Sequence, residues 1–485
     1  MTPPAMEPVI GLEVHAELLT RSKIFCGCSA SFGAPPNTHL CPVCLGMPGV
    51  LPVLNRRVVE FAIRAGLATH CTIAPSSVFA RKNYFYPDIP KGYQISQYEL
   101  PICTKGHIDV VLDGETKRVG LTRIHMEEDT GKNVHDAHVS DSLVDFNRSG
   151  VPLLEIVSEP DMRTPAEAGA YLRMLRSILQ YLEVCDGNME EGSFRCDANV
   201  SVRARGVAAF GTKVEIKNMN SFRAVEKAIT YEIARQEQAI ADGETIVQET
   251  RHWDADREET RSMRSKESAH DYRYFPDPDL LNLAVEPGWV DEIRHTMPEL
   301  PSARRARFER ELGLSPYDAD VLTQRKDVAD YFEAGVAAGA PPKDMASWTQ
   351  TEILRIVRDE KLDDALVIRD WPVSAPQLSK LIRLVADGVV NRNTAKGLLP
   401  RLRGTDVDPE TLVRSEGLAQ VSDRSALEAA VRDVVAKNPE QVAQFRSGKD
   451  KVMGFFVGQI MKATGGKANA QLVQELLRAA LQETA

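Results

Sequence analysis

Four cysteines near the N-terminus give the sharpest chemical signal in the sequence. Cys26 and Cys28 are separated by one residue, and after twelve further residues Cys41 and Cys44 follow, separated by two. Two close pairs of thiolates, each on a tight turn, can form the sulfur tetrahedron that Zn²⁺ prefers. The competing interpretation is four free or disulfide-bonded cysteines. Because four cysteines fill the coordination sphere and leave no position for water, we expect a structural zinc site that pins a loop.

A second group combines acidic residues with a histidine. Glu13 and His15 lie two residues apart in an alternating segment, three acidic residues follow one another at 127–129, and Glu155 stands inside the apolar run 151–157. A carboxylate inside such a run is costly to bury unless it is paired or coordinates a cation. Carboxylates with few other protein ligands suit Mg²⁺, which keeps waters and takes substrate phosphates. The alternative is a set of unrelated surface acids and one salt-bridged glutamate.

Basic residues supply the candidates for phosphate contact, because the sequence contains neither GxxxxGK[ST] nor a GxGxxG that follows a strand. Lys82 precedes an aromatic run and Lys217 stands beside an asparagine, but each alone is more typical of a solvated surface charge. Near the C-terminus, basic residues and glycines cluster with few acids between them, which fits phosphate contact as well as a solvated helical tail. The basic residues of this cluster are Arg446, Lys449, Lys451, Lys462 and Lys467.

The elements that must position these residues are short strands and a few long helices. Alternation predicts a strand over 9–17, and residues 108–112 and 116–126, joined by Asp113-Gly114, are typical of a β-hairpin. A helix is predicted over 164–182, with Thr164 as its cap and Glu167 completing a capping box. A second long helix is predicted over 222–240. Together these patterns predict an α+β fold with strands grouped in hairpins.

Length and charge restrict the class of protein. At about 150 residues per domain, 485 residues suggest roughly three domains. Composition changes near 298–301, after which the pattern is mainly helical, with a further helical block from about 406. The formal net charge of −10 excludes a general coat for nucleic acid, so any such contact needs a local basic patch. We see no secretory signal and no run of about 20 apolar residues, and we expect a cytoplasmic protein with no membrane contact.

Eight stretches of the sequence carry a family resemblance. In chain order they are VIGLEVHAEL, RKNYFYPDIPKGYQISQYELPI, HMEEDTGK, NRSGVPLLEIVSEPDM, MEEGSFRCDANVSVR, EIKNMNSF, DYRYFPDPDL and KVMGFFVGQIMKATGGKANAQLV. From about residue 8 to the end, their content and order resemble the GatB family, the B subunits of aspartyl/glutamyl-tRNA(Asn/Gln) amidotransferases. Motifs of this length in a fixed order are far more specific than a short regular expression.

The resemblance implies an ATP-dependent enzyme that acts on tRNA charged with the wrong amino acid. Members phosphorylate the side-chain carboxylate of Glu on tRNA(Gln) or of Asp on tRNA(Asn), and ammonia then displaces the phosphate. The ammonia arrives through a channel from a separate amidase (glutaminase) subunit, which hydrolyses glutamine, and a small third subunit holds the pair together. The non-discriminating aminoacyl-tRNA synthetase is a further expected partner.

The resemblance also implies the site residues. His15, Glu128 and Glu155 stand where the family's motifs place the ligands of Mg²⁺, with Glu13 close beside them as part of the catalytic group. The four cysteines match the zinc-bearing branch of the family. Contacts to phosphate or to the substrate carboxylate are expected from Lys82, Arg195 and Lys217.

The domain organisation follows from the same resemblance. A cradle-shaped mixed α/β catalytic domain built on antiparallel sheet is expected at 1–295, with a zinc knuckle at 26–44. An all-α helical domain is expected at 296–410. An α-helical tail domain similar to the YqeY proteins is expected at 411–485, where its lysines would contact tRNA. A tRNA-binding scaffold without chemistry of its own is the alternative function, and a zinc-dependent hydrolase is disfavoured because the cysteine site is closed.

Overall fold

The chain forms two compact units, Met1–Pro301 and Ser302–Ala485. The computed structural model of the chain describes residues 5–135, 142–263, 272–362, 368–419, 424–449, 451–464, 468 and 470–482.

The first unit contains all the strands that the structure describes. In chain order they are β1 Met6–Glu17, β2 Thr72–Ile73, β3 Ser76–Ser77, β4 Ala80–Asn83, β5 Tyr93–Ser96, β6 Cys103–Leu112, β7 Glu115–Glu128, β8 Lys132–His135, β9 Ser142–Asp145, β10 Pro152–Ser158, β11 Phe194–Ala204, β12 Val214–Met219, β13 Thr250–Asp254, β14 Glu259–Ser262, β15 Phe275–Pro276 and β16 Leu283–Ala284.

A nine-stranded sheet dominates this unit, in the order β14-β13-β12-β11-β1-β10-β7-β6-β2. The pair β12–β13 is parallel, and the other neighbours in this sheet pair antiparallel. A three-stranded sheet, β15-β4-β5, contacts β7 through β5. The mixed α/β fold on a mainly antiparallel sheet, predicted from the sequence, is confirmed, and β6 and β7 form the predicted hairpin.

The central strand β1 has one apolar face and one polar face, and its sequence specifies both. Leu12, Val14 and Ala16 are at most 1% exposed, whereas the odd-numbered residues between them are partly open to solvent. Because side chains alternate along a strand, this pattern puts an apolar face on the core and leaves a polar face opposite. Each fully buried aliphatic side chain contributes roughly 1.5–3 kcal/mol relative to exposure, so the register of β1 is strongly fixed.

Helices cover the apolar face of the sheet. Those of the first unit are α1 Arg56–Ala68, α2 Pro165–Tyr181, α3 Phe222–Ala241 and α4 Pro287–His295. The predicted cap of α2 is present, since the Thr164 hydroxyl accepts a hydrogen bond from the Glu167 amide. The predicted capping box is not formed as expected, because the Glu167 carboxylate accepts from the amide of Arg163 and pairs with Lys117. Glu167 therefore anchors the helix start to the sheet.

The second unit is helical throughout the part that the structure describes. Its helices are α5 Pro301–Leu312, α6 Pro316–Thr323, α7 Lys326–Ala337, α8 Pro342–Trp348, α9 Leu354–Asp359, α10 Ala375–Ala386, α11 Arg392–Leu402, α12 Pro409–Ser415, α13 Arg424–Lys437, α14 Pro439–Arg446, α15 Val452–Ala463 and α16 Ala470–Gln482, with a π-helical segment at Thr349–Ile353. One apolar cluster runs from Phe308 to Val413 and another from Leu427 to Leu481. The predicted domain boundaries stay predictions.

Candidate active site

The polar face of the central strands collects charged side chains from distant stretches of sequence. β1 lies between β10 and β11, and the register places His15 opposite Glu155 on β10 and opposite Arg195 on β11. His125 of β7 lies opposite Glu155 on the other side of β10. Four strands therefore contribute to one polar surface, although the residues involved span the chain from position 15 to position 195.

Glu127, Glu155 and His15 converge on this surface. The Nε2 atom of His15 lies 3.5 Å from Oε2 of Glu155 and 3.8 Å from Oε1 of Glu127. Each of the three residues offers one ligand atom, and these atoms all lie within 4.8 Å of one another. Glu127 and Glu155 are 2% and 8% exposed, while the side chain of His15 is 20% exposed. We call these three residues the His15 cluster.

Basic side chains surround the two carboxylates. The Nε2 atom of His125 lies 3.5 Å from Oε2 of Glu155 and 3.7 Å from Oε2 of Glu127. Arg123 approaches the second oxygen of Glu155 at 3.6 Å. Burial raises the pKa of a carboxyl group, but His125, His15 and Lys82 outweigh burial at Glu155 and hold its pKa below the usual range. The carboxylates of the His15 cluster are thus kept ionised and available to a cation.

A second charged group lies beside the His15 cluster, at the ends of β1, β7 and β11. The Arg195 guanidinium lies 2.8 Å from Asp129 and 3.1 Å from Glu17. Burial and the neighbouring Asp129 raise the pKa of Glu17 to about 8. Burial opposes the charge of Asp129, but Arg195 and Arg148 outweigh it and hold the pKa at about 2. Arg195 is therefore already paired with the two acids.

The remaining predicted polar residues lie around the same face. Glu13 accepts a hydrogen bond of 2.9 Å from Asn199, and burial and the charge of Glu155 raise its pKa. Lys217 lies 2.6 Å from Asp197 and 3.1 Å from a further carboxylate on β12, with its side chain 40% exposed. Both residues therefore belong to the polar surface and lie outside the His15 cluster.

Lys82 faces the His15 cluster from β4. Its Nζ atom lies 5.0 Å from the centre of the Tyr272 ring. Burial disfavours its charge, but the carboxylates of Glu127 and Glu155 and the Tyr274 hydroxyl outweigh burial and raise its pKa. An ammonium held next to two carboxylates and aromatic rings is suited to meet a phosphate or a substrate carboxylate.

Glu128 lies on the opposite side of β7 from the His15 cluster, although it was predicted as the third metal ligand. Its carboxylate pairs with Lys91 and accepts a hydrogen bond of 2.8 Å from the amide of Ile95. Adjacent residues of a strand point to opposite faces, so only one of Glu127 and Glu128 can reach His15. The structure places Glu127 there and corrects the predicted set at this position.

An irregularity in β7 explains the correction. The buried apolar residues are Val119 and Leu121 in its first half and Ile124 and Met126 in its second, so the alternation changes phase near Thr122. The register between β7 and β10 shifts at the same place. If the alternation in the first half of β7 continued to its end, Glu128 would lie on the polar face of the sheet. Because the alternation changes phase, Glu127 lies there instead.

His125, which contacts both carboxylates of the His15 cluster, was not among the residues predicted from the sequence. The available signal was the spacing of His125 and Glu127, since residues two apart in a strand share a face. The tail lysines Lys449, Lys451 and Lys462 are exposed. Lys467 lies outside the residues that the structure describes.

The four predicted cysteines come together. Their Sγ atoms all lie within 4.8 Å of one another, and those of Cys41 and Cys44 are 3.9 Å apart. Four sulfurs around Zn²⁺ at about 2.3 Å are about 3.8 Å from one another, so this spacing fits a tetrahedral ion. Hydrogen bonding between Cys26 and Cys44 lowers the pKa of Cys44 to about 4 and raises the pKa of Cys26. We call these residues the cysteine cluster.

The His15 cluster fits a divalent cation on different grounds. Two buried carboxylates and one imidazole form an incomplete ligand set, which leaves positions for water and for substrate oxygens. The cysteine cluster has no such position, because four thiolates complete a tetrahedron. The chain thus combines an incomplete set of two carboxylates and one imidazole on an antiparallel sheet with a closed set of four sulfur atoms.

Comparison with known proteins assigns the family. Residues 8–291 match the family model described as the GatB/GatE catalytic domain, and residues 330–481 match the one described as the GatB domain. The chain is 59% identical to the B subunit of aspartyl/glutamyl-tRNA(Asn/Gln) amidotransferase from Solidesulfovibrio magneticus, with 97% of this chain and 98% of that relative covered. It is 58% identical to the protein of that name in Geobacter sulfurreducens, with the same coverage.

The chain belongs to the GatB family, the B subunits of aspartyl/glutamyl-tRNA(Asn/Gln) amidotransferases. The resemblance carried by the eight sequence stretches is confirmed, and with it the class of enzyme, a carbon–nitrogen ligase of more than one subunit. No helix in the described ranges combines the length and apolar character that crossing a membrane requires.

Proposed function

We propose that this chain activates and amidates the side chain of Glu on tRNA(Gln) or of Asp on tRNA(Asn), with ATP as co-substrate. The γ-phosphoryl group of ATP passes to the side-chain carboxylate and gives an acyl phosphate and ADP. Ammonia then attacks the acyl carbon, and phosphate leaves as the amide forms. The observation that carries this proposal is the convergence of two buried, ionised carboxylates and one imidazole in an open cation site.

The chemistry explains why such a site is needed. A carboxylate is a poor electrophile, because its charge is delocalised and its leaving group would be oxide. Phosphoryl transfer to it brings together two anions, so the protein must position them and neutralise charge. Mg²⁺, when bound, supplies charge neutralisation at the phosphate oxygens. We propose that the His15 cluster holds Mg²⁺, with Glu13 beside it.

Basic side chains complete the proposed site. Lys82 faces the His15 cluster and is the best placed to meet a phosphate oxygen or the substrate carboxylate. Arg195 and Lys217 lie on the same face but are paired with carboxylates, so we propose that they orient those acids and exchange partners when the substrate enters. We propose a structural Zn²⁺ for the cysteine cluster, because its four thiolates match the tetrahedral spacing.

The proposed organisation follows the family. We propose a cradle-shaped catalytic domain at 1–295, a helical domain at 296–410 and a YqeY-like tail domain at 411–485 that contacts tRNA. The chain would work in the cytoplasm as one member of a heterotrimer, whose other members are the amidase (glutaminase) subunit, which supplies ammonia, and the small third subunit. The non-discriminating aminoacyl-tRNA synthetase is a further proposed partner, because it supplies the misacylated tRNA.

The reconstituted complex should convert misacylated tRNA only when ATP and glutamine are both present. The assay uses Glu-tRNA(Gln) and Asp-tRNA(Asn) in parallel and measures amide formation on the aminoacyl group. Glutaminase activity without amide formation on either tRNA would contradict the proposal. Calorimetric titration of the chain with ATP and Mg²⁺ then separates the alternatives, since a pure tRNA-binding scaffold gives no binding heat.

Exposed tail lysines should contribute to tRNA affinity. Replacing Lys451 and Lys462 together by alanine should flatten the dependence of log affinity on log salt by about 1 per lysine, because each phosphate contact releases counterions. Binding of tRNA to the complex is measured over a salt series. Lys437→Ala is the matched control, since Lys437 is in the same segment but pairs with Asp433 at 2.6 Å. An unchanged slope in the double variant would contradict tRNA contact by these lysines.

A further inference from the structure

Lys23 is a fully buried cation beside the cysteine cluster. Its exposure is 0%, and its ammonium donates one hydrogen bond of 2.8 Å to the carbonyl oxygen of His39. Its own amide bonds to the carbonyl of Cys28, so its backbone is tied to the first cysteine pair. Among the described residues, no carboxylate lies within ion-pair distance of this ammonium. A buried charge without a counter-charge is strongly unfavourable, so the charge of Lys23 requires an anion.

The thiolates of the cysteine cluster can supply this anion. Both Lys23 and Cys44 line a cavity of about 90 Å³, together with Cys26. The turn at Gly150, with φ of +84°, brings the backbone close to both, since a methyl group added there would lie 3.5 Å from Cδ of Lys23 and 3.6 Å from Cβ of Cys44.

The nearby carboxylate of Glu128 is already engaged. It lies 3.8 Å from the same added methyl position, and it pairs with Lys91. Lys23 and Lys91 therefore line one cavity with different counter-charges. Lys91 neutralises the carboxylate of Glu128. The charge of Lys23 is therefore available to the sulfur atoms of the cysteine cluster.

The position of Lys23 matters because the cysteine cluster, when it holds zinc, carries a negative charge. Four thiolates and one Zn²⁺ carry a net charge of −2, in a site of which Cys44 is buried and the other three cysteines are half-buried. We propose that Lys23 is the counter-charge of the zinc-loaded cysteine cluster and a positioning residue that sets its metal affinity. Its hydrogen bond to His39, two residues before Cys41, also holds the loop that presents the second cysteine pair. The inference rests on the proposed zinc and is independent of the proposed reaction.

The test separates charge from hydrogen bonding in the full-length chain. Zinc affinity is measured by competition with a chromophoric chelator for the wild type and for Lys23→Met, Lys23→Gln and Lys23→Arg. Groups next to metal ligands typically change metal affinity by about 10–100-fold when removed. We expect that loss in Lys23→Met and also in Lys23→Gln, which keeps a hydrogen-bond donor but no charge. Lys23→Arg should stay within a few-fold of the wild type.

Thermal unfolding supplies the second readout. Replacing a buried charge by an apolar side chain of similar volume is often neutral or stabilising, so metal-free Lys23→Met should melt no lower than the metal-free wild type. The zinc-loaded variant should melt below the zinc-loaded wild type. Lys117→Met is the control, because Lys117 lies in the same unit, is partly exposed and pairs with Glu167.

Four outcomes would overturn the inference. Zinc affinity of Lys23→Met within two-fold of the wild type would show that the charge is not used. Retained affinity in Lys23→Gln with loss in Lys23→Met would assign the effect to the hydrogen bond alone. An equal loss of melting temperature with and without zinc would make Lys23 a structural residue. If the wild-type chain bound no zinc, the proposed zinc site would be contradicted as well. The result of the amidation assay would be unaffected.

Discussion

Glu155→Gln in the reconstituted complex is expected to lower ATP hydrolysis stimulated by misacylated tRNA by about 10³-fold, equal to about 4 kcal/mol of barrier. Glu155 is 8% exposed and lies 3.5 Å from both His15 and His125. The amide keeps the shape of the side chain but removes the charge that would hold the cation. Phosphoryl transfer depends mainly on positioning and charge neutralisation, so the loss should fall on the rate. Binding of tRNA should stay within two-fold.

The matched control is Glu159→Gln, one residue beyond the end of β10. Glu159 is exposed and accepts a hydrogen bond of 2.8 Å from Thr122, away from the His15 cluster. Its replacement should leave the stimulated hydrolysis within two-fold of the wild type. Full hydrolysis in Glu155→Gln would remove the catalytic assignment of the His15 cluster, whatever the control shows.

Glu127→Gln and Glu128→Gln should have different effects, because the two neighbouring carboxylates have different roles. Glu127→Gln should weaken Mn²⁺ binding to the full-length chain by about 100-fold or more, or about 2.7 kcal/mol, because Glu127 belongs to the His15 cluster. Glu128→Gln should leave Mn²⁺ affinity within three-fold. It should instead destabilise the fold by about 3–5 kcal/mol, because it leaves the Lys91 ammonium, whose side chain is only 9% exposed, without its partner.

Two measurements on the same proteins check this pair. Titration with Mn²⁺ followed by electron paramagnetic resonance gives the affinity, and chemical denaturation gives the free energy of unfolding. The two variants control for each other, since both change one carboxylate to an amide in the same strand. Loss of Mn²⁺ binding in Glu128→Gln with full binding in Glu127→Gln would restore the set predicted from the sequence.

Local patterns allowed the elements and the cysteine cluster to be predicted. The four cysteines lie between residues 26 and 44, so two short turns are enough to bring them together. The alternation of β1 and the turn at Asp113-Gly114 likewise depend on neighbouring residues. In each case the interactions that decide the geometry are close in sequence, so spacing and residue type are sufficient.

The His15 cluster depends on information that spacing does not contain. His15, Glu127 and Glu155 stand on three strands whose neighbours are set by sheet topology and whose register is set by packing. Lys105, which the pairing of β6 with β7 skips, has φ of +56°, and both strands change which apolar residues are buried near this point. A residue with positive φ in a strand disturbs alternation without a clear signature in its own type. The sequence alone therefore could not show which of Glu127 and Glu128 belongs to the His15 cluster, and the three-dimensional structure was needed.

β7 contributes carboxylates to both faces of the sheet, and this restricts where residues can be inserted into or deleted from the sequence. Glu127 supplies one face of the sheet and Glu128 the other, so adding or deleting a single residue between Thr122 and Glu127 would exchange the two carboxylates between faces. The hairpin tip at Asp113-Gly114 has no such restriction, because extra residues there extend the loop without altering the pairing farther along. Insertions and deletions should therefore be tolerated at the tip of this hairpin and should disrupt the His15 cluster when they fall between Thr122 and Glu127.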